Sequence, residues 1–304
     1  MPDDLTLPRA APATPGGAFA APGTGSAAQP STQEFSFTAN DFNRVRNLIH
    51  QRAGIYLHDG KQAMVYSRLT RRLRDTGHAS VGEYLRALES AGGGDADLEW
   101  QEFVNCLTTN LTSFFREAHH FDALADDLHK LRAQGGQAPR IWCSAASTGE
   151  EAYSIAMTAV DTLGPKSGVT ILATDIDTKV LATAQRAVYD ADARGLTPQQ
   201  LQRHFQRGTG GNAGFVRVRP EVSAMVQLRS FNLMTRQWSL GEPFDIIFCR
   251  NVMIYFDAST QRAVLQQMHR ALKLRGLLYV GHSENFSDAR ELFRLRGKTI
   301  YEKV

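Results

Sequence analysis

The stretch IWCSAASTGEEAYSIAM, residues 141–157, decides the fold. It opens as a short apolar run, passes through small residues and continues as a helix from Glu150 to Leu163. GVTILATDID (168–177) repeats the change, with a helix from Thr178 to Ala187. Val226 to Phe231, FDIIFC (244–249), GLLYVGHSE (276–284) and KTIYEKV (298–304) read as further strands, with Thr260 to Leu272 helical among them. Strand and helix in alternation predict an α/β fold, a mostly parallel sheet with helices on both faces.

No such rhythm precedes Arg140. Phe42, Val45, Leu48 and Ile49 share one helix face, with Asp41 as its cap and Gly54 as its stop. Lys61 to Arg74, Val81 to Leu88 and Leu98 to Leu107 read as three more helices, so residues 35–110 form a small all-helical domain and 111–139 a linker helix region. Residues 1–34 hold six of the eleven prolines and one aromatic, Phe19, and read as a disordered tail. Within the sheet domain, 140–304, an insertion over about 190–225 carries a glycine turn, RGTGG, and an alternating run, GFVRVRP (214–220), that reads as an exposed strand of an antiparallel β subdomain.

Composition narrows the class. The 304 residues are 42% hydrophobic and 21% charged, with a net charge of +3, so a nucleic-acid partner is not expected from charge alone. Three cysteines, Cys106, Cys143 and Cys249, fit no zinc pattern; Cys143 and Cys249, inside apolar runs, read as buried thiols, and a reducing compartment is expected. No apolar run approaches the ~20 residues of a membrane span, and MPDDLTLPRA is not a secretory signal, so a cytoplasmic protein is expected.

Open parallel sheets bind ligands beyond the carboxyl ends of their strands. SAASTGEE (144–151) lets backbone approach a ligand closely but lacks the glycines that seat a pyrophosphate. Glu150 and Glu151 open the next helix, as dipole-complementing acids or as ligand contacts. Asp175 ends the second strand, where an acid accepts from ribose hydroxyls; the other reading is a helix cap, which Asp177 could supply. A ribose-bearing cation without a pyrophosphate suits this set, and S-adenosylmethionine is one.

NLTSFFREAHHF (110–121), SAASTGEEAYSIAM (144–157), ATDID (173–177), RGTGGNAGFVRVR (207–219), FDIIFCRNVMIYFD (244–257) and GHSEN (281–285), in this order, resemble the chemotaxis receptor methyltransferases, the CheR family. The resemblance runs from about residue 35 to the C-terminus and implies a Rossmann-like S-adenosylmethionine-dependent methyltransferase sheet. It implies transfer of the methyl group to glutamate side chains on the cytoplasmic helices of membrane chemoreceptors, leaving S-adenosylhomocysteine. It further implies that Asn110, Thr112, Arg116, Glu150, Asp175, Asn232, Leu233, Asn251 and Val252 contact the cofactor. Ala152 stands where the family motif commonly has proline, a change of little expected consequence.

A glutamate carboxylate is already ionised at neutral pH, so its methylation requires no general base. Arg116 is expected to hold that carboxylate and Tyr255 to donate a hydrogen bond beside it. Between residues 42 and 78 eight basic residues face two acids; Arg68, Arg71 and Arg72 share a helix face and are expected to dock acidic receptor helices. Arg217 and Arg219 of the insertion are expected to meet a receptor's C-terminal tail, a tethering that some family members use. No metal is expected, because the adjacent His119 and His120 point apart and nothing completes a ligand set. Neither membrane insertion nor an oligomer is expected; the chain reads as a monomer. The alternative is a non-catalytic S-adenosylmethionine-binding signalling module, which would have lost Arg116 or Asp175.

Overall fold

The computed structural model describes residues 34–90 and 94–304; apart from Glu34, the expected tail lies outside the described residues. Four helices come first: α1 (Ala39–Ala53), α2 (Gln62–Thr76), α3 (Val81–Ser90) and α4 (Gly94–Leu107). Thr38, not Asp41, caps α1. Its Oγ1 accepts from the Asp41 N–H at 3.1 Å, and Asp41 Oδ2 accepts from the Thr38 N–H at 2.9 Å. The acid is the third-position member of a capping box, so reading it as the cap placed the boundary three residues late. The helices close on Phe42, Val45, Ile49, Val65, Leu69, Leu73, Tyr84 and Phe103, all buried.

Gly54 ends α1 with φ 72°, and a Cβ there would stand 2.5 Å from Met234 Sδ. A larger residue would strain the backbone and crowd the place where helices and sheet meet. Just beyond, the Tyr56 N–H donates to the Tyr255 carbonyl at 2.7 Å, and Ile55 pairs with Phe256 as an antiparallel bridge.

The chain continues through α5 (His119–Ala133), β1 (Arg140–Cys143), α6 (Glu150–Leu163), β2 (Thr170–Asp175) and α7 (Thr178–Arg186). The insertion follows as β3 (Val188–Asp190), α8 (Pro198–His204), β4 (Phe205–Arg207), β5 (Phe215–Val218) and the single turn α9 (Pro220–Ser223). Then come β6 (Val226–Ser230), β7 (Phe244–Cys249), α10 (Ala258–Ala271), β8 (Leu272–Val280), β9 (Phe293–Gly297) and β10 (Ile300–Lys303).

The main sheet has the order β6-β2-β1-β7-β8-β10-β9. The first five are mutually parallel; β10 runs antiparallel to both of its neighbours, β8 and β9. Alternation assigns Ile141 and Cys143 to one layer, against Leu124 of α5 and Ile155 of α6, and Trp142 to the other, against Val264 and Met268 of α10. Helices cover both faces, which is why these strands read as continuous apolar runs. From β1 the chain moves to β2 and β6 on one side, then returns to place β7 on the other. The crevice beyond the carboxyl ends of β1 and β7 is the switch point, where such sheets take ligands.

Two readings of the sequence need correction. β5, the GFVRVR run, is the central strand of a three-stranded sheet ordered β3-β5-β4, not an exposed one. Val216 and Val218 are buried while Phe215 is half-exposed, so the alternation is real but the free edges belong to β3 and β4. At the C-terminus, Lys298 and Thr299 form a hairpin turn, with φ 51° and 58°, instead of starting a strand. β9 precedes them; with Arg294, Leu295 and Arg296 exposed, this edge strand carries no apolar run to mark it.

Candidate active site

A cleft open to solvent lies at the switch point. Its floor is built from strand ends: Ser144, Ala145 and Ser147 after β1; Asp175 and Ile176 after β2; Phe231, Asn232 and Leu233 after β6; Arg250, Asn251 and Val252 after β7. The linker contributes Asn110, Leu111, Thr112 and Arg116, and the helical part adds Tyr56, Lys61 and Met64. Tyr255 lines the cleft as well.

Asp175 is buried and accepts one N–H on each oxygen, from Ser147 at 2.8 Å and from Asp177 at 2.9 Å. A carboxylate oxygen has two acceptor sites, so each keeps one for a ligand hydroxyl. Burial pushes its carboxyl up to about 6 against the pull of these amides. The helix-cap reading goes to Asp177, whose Oδ1 accepts from Lys179 N–H at 2.9 Å and Val180 N–H at 3.3 Å. Asp177 Oδ2 also accepts from Asn110 Nδ2 and Thr108 Oγ1, both at 2.7 Å. The Asn110 side chain is therefore spent on fixing the linker, while its carbonyl accepts from Ser147 Oγ at 3.1 Å.

Glu150 is not on the wall; Glu151 is. Glu150 sits at the start of α6 and accepts from Thr148 Oγ1 at 2.6 Å. Glu151, one residue on, turns inward and accepts from Arg250 Nη1 at 2.6 Å. Burial pushes Glu151 up, against the opposing charge of Arg250. Arg250, a wholly buried side chain, also donates to the Arg116 carbonyl and comes within 3.4 Å of Glu117 Oε2. Burial would raise Glu117, but a hydrogen bond with His282 and the Arg250 charge hold it down at about 2. Arg116 donates from Nη1 to the Leu111 carbonyl at 3.0 Å and lines the cleft. Asn232 reaches the helical part, with Nδ2 donating to the Arg52 carbonyl at 2.6 Å.

Sequence reasoning gave no role to Arg250, Glu151 as the inward acid, or Glu284. Arg250 follows FDIIFC directly, and a charged residue at a strand's carboxyl end was the available signal. Glu284 lies in the quoted GHSEN; it is buried and accepts backbone N–H groups of Gly281, Asn251, Val252 and Met253. Nothing local in the sequence shows that the chain after β7 comes to meet it.

The basic helix face also changes. Arg68 donates to the carbonyls of Leu107 and Thr108, at 2.8 and 2.6 Å, and Arg72 pairs with Glu99 and Asp75. Both serve the helical fold, and only Arg71 of the three is exposed. Arg217 is exposed, and Arg219 donates to the Gln202 carbonyl at 3.3 Å. His119 and His120 open α5, yet their rings do not point apart: the centroids are 4.3 Å from each other.

An open α/β sheet with an acid after β2, no pyrophosphate loop and a cleft at the switch point defines the class of S-adenosylmethionine-dependent methyltransferases. A family model described as CheR methyltransferase, SAM binding domain, matches residues 110–301, and one described as CheR methyltransferase, all-alpha domain, matches residues 40–108. The chain is 52% identical over 272 residues to a chemotaxis protein methyltransferase of Escherichia coli K12, spanning 89% of this chain and 93% of that one. A chemotaxis protein methyltransferase of Salmonella typhimurium LT2 is 51% identical over 272 residues, spanning 89% and 92%. Chemotaxis protein methyltransferase 2 of Pseudomonas aeruginosa PAO1 is 48% identical over 271 residues, spanning 88% and 95%. The chain belongs to the CheR methyltransferase family.

The raised Asp175 pKa sets a pH dependence. Without ligand, its contribution to stability is full below the unfolded value of 3.8 and is lost as pH rises through about 6. Ligand hydroxyls need the ionised form, so affinity for S-adenosylhomocysteine should fall as pH drops from 7 to 5. Asp175→Asn should weaken binding at pH 7 by about 10- to 150-fold, the worth of hydrogen bonds to a charged group, and should remove most of that slope; calorimetry at several pH values checks both.

Proposed function

We propose that this methyltransferase transfers a methyl group from S-adenosylmethionine to glutamate side-chain carboxylates of chemoreceptors, forming methyl esters, and that it acts as a monomer in the cytoplasm. Among the described residues no helix is long and apolar enough to cross a membrane. The observation that carries the reading is the pairing, in one cleft, of a buried acid with free acceptor sites, Asp175, and a cation at the linker, Arg116. A non-catalytic module would have no use for the second.

The residues present fit the cofactor. Asp175 would hold the ribose hydroxyls; Phe231, Leu233 and Val252 give apolar wall for a purine, and Glu151 with Asn110 and Thr112 lies toward the linker. When bound, S-adenosylmethionine supplies a methyl group on a sulfonium cation. The chain's own work is positioning. Arg116 would clamp the incoming carboxylate with the N–H groups not given to Leu111. Tyr255, which also lines the cleft, would donate to it, held in place by the Tyr56 N–H on its carbonyl. The glutamate is already an anion at pH 7, so no residue has to remove a proton.

Receptor docking is assigned to Arg71 and Lys61, which are exposed on α2 and at the cleft mouth, rather than to Arg68 and Arg72. A receptor tail would add to a free edge of the small sheet, at β3 or β4, beside the exposed Arg217. Loss of tail-peptide binding on deleting residues 208–214, with cofactor binding kept, is the expected outcome in a pull-down.

Labelled S-adenosylmethionine and receptor-containing membranes test the whole reading: base-labile label should appear in receptor. Arg116→Ala should lower the rate by about 10²-fold or more, the scale of losing a charge-stabilising donor, and Arg116→Lys should not restore it because an ammonium lacks the planar fork. Rates within twofold of the unchanged chain would remove Arg116 from the chemistry.

In the same assay Arg71→Glu should raise the KM for receptor, an effect that shrinks with added salt, and leave cofactor affinity unchanged. Arg72→Glu should instead lower the unfolding midpoint, since it sets three acids against one another at Glu99 and Glu102.

A further inference from the structure

We propose that Glu117, His119 and His120 form a binding site for a transition-metal dication such as zinc(II), with His282 at its open side. His120 is fully buried, and its Nε2 lies 2.9 Å from the Lys298 carbonyl and 3.0 Å from Thr299 Oγ1. A carbonyl only accepts, so Nε2 carries the ring proton and Nδ1 presents a lone pair. That Nδ1 is buried with no hydrogen-bond partner. It faces Glu117 Oε2 at 3.6 Å, and this oxygen is also buried with no hydrogen-bond partner. Two lone-pair atoms turned toward each other in a buried place call for something positive between them.

The spacing suits a metal. Ligands about 2.0–2.1 Å from zinc at a tetrahedral angle stand roughly 3.4 Å apart. His119 supplies a third ligand atom, and all three lie within 4.8 Å of one another. His119 is half-buried. His282 is exposed and its Nδ1 donates to Glu117 Oε1 at 3.0 Å, on the side that gives an entry path, so the fourth position is left to water. An Nε2–H bound to a backbone carbonyl is the support that metal-ligating histidines usually have. One charge opposes the site: Arg250 Nη2 lies 3.4 Å from Glu117 Oε2. One N–H of Nη1 goes to Glu151 and one of Nη2 to the Arg116 carbonyl, and none makes a hydrogen bond to this oxygen, so a metal competes there only with the Arg250 charge, at a cost in affinity relative to structural zinc sites.

Titration of the full chain with zinc chloride, followed by calorimetry and by competition with a chromophoric chelator, tests the proposal. One equivalent should bind. Glu117→Gln and His119→Ala should each weaken it by about 10- to 100-fold or more, since even outer-shell partners are worth that much. His129→Ala, on the exposed face of α5, should change nothing. Both site variants lie near the surface, and circular dichroism would verify their fold. Cobalt(II) should give a visible spectrum that Glu117→Gln alters. No saturable site, or one whose affinity both variants leave unchanged, overturns the proposal and leaves a water donating to both Nδ1 and Oε2 as the occupant of the gap.

Discussion

One buried carboxylate shapes the cleft. Glu284 accepts from the backbone N–H groups of Gly281 at 2.6 Å, Met253 at 2.8 Å, Asn251 at 3.0 Å and Val252 at 3.1 Å. It thereby fastens the chain after β7 to the chain after β8. Asn251 is held at φ 58°, a conformation that strains a residue with a side chain and persists only where its surroundings over-determine it. Gly281 leaves no room for more: a Cβ there would stand 2.4 Å from Asn251 Nδ2. Burial pushes the Glu284 carboxyl up, against the pull of its amide donors.

The same device recurs across the cleft. Asp175 grips Ser147, at φ 49°, and thus joins the ends of β1 and β2. Arg250 ties Glu151 on α6 to the carbonyl of Arg116 in the linker, where Phe115 and Glu117 also have positive φ, 48° and 57°. Four of the eight described non-glycine residues with positive φ thus stand at or beside the cleft, where buried charges hold them. Such preorganisation matters for a reaction whose nucleophile is already ionised, because positioning is then most of what a protein can add. The helical part closes the cleft by a separate set of contacts, Tyr56 to Tyr255, Asn232 to Arg52 and His50 to Asp257.

The sheet was legible because both of its faces are buried, which makes IWC, the ILA of TILATD and the IIFC of FDIIFC apolar without alternation. Asp175 was legible because position at a strand end carries its meaning. β9 was hidden because an edge strand with exposed Arg294, Leu295 and Arg296 needs no apolar pattern. β5 read as exposed because alternation reports which faces are covered, not whether neighbours lie on both sides. Glu150 and Glu151 differ by the 100° or so that separates consecutive helix residues, and only the entry angle of α6 decides which faces inward. Arg68 and Arg72 read as part of a receptor-docking face because their partners, the Leu107 and Thr108 carbonyls and Glu99, arrive from an element distant in sequence.

The most direct measurement is cofactor binding by Glu284→Gln, read by calorimetry alongside amide hydrogen exchange. Glutamine keeps the size but turns an amide donor toward backbone N–H groups. If the buried carboxylate shapes the cleft, affinity for S-adenosylhomocysteine should fall by about tenfold or more, equivalent to one or two lost charged hydrogen bonds. Exchange should then quicken at residues 251–253 and stay unchanged in α1 to α3. Unchanged affinity, with unchanged exchange at those three residues, would contradict the account.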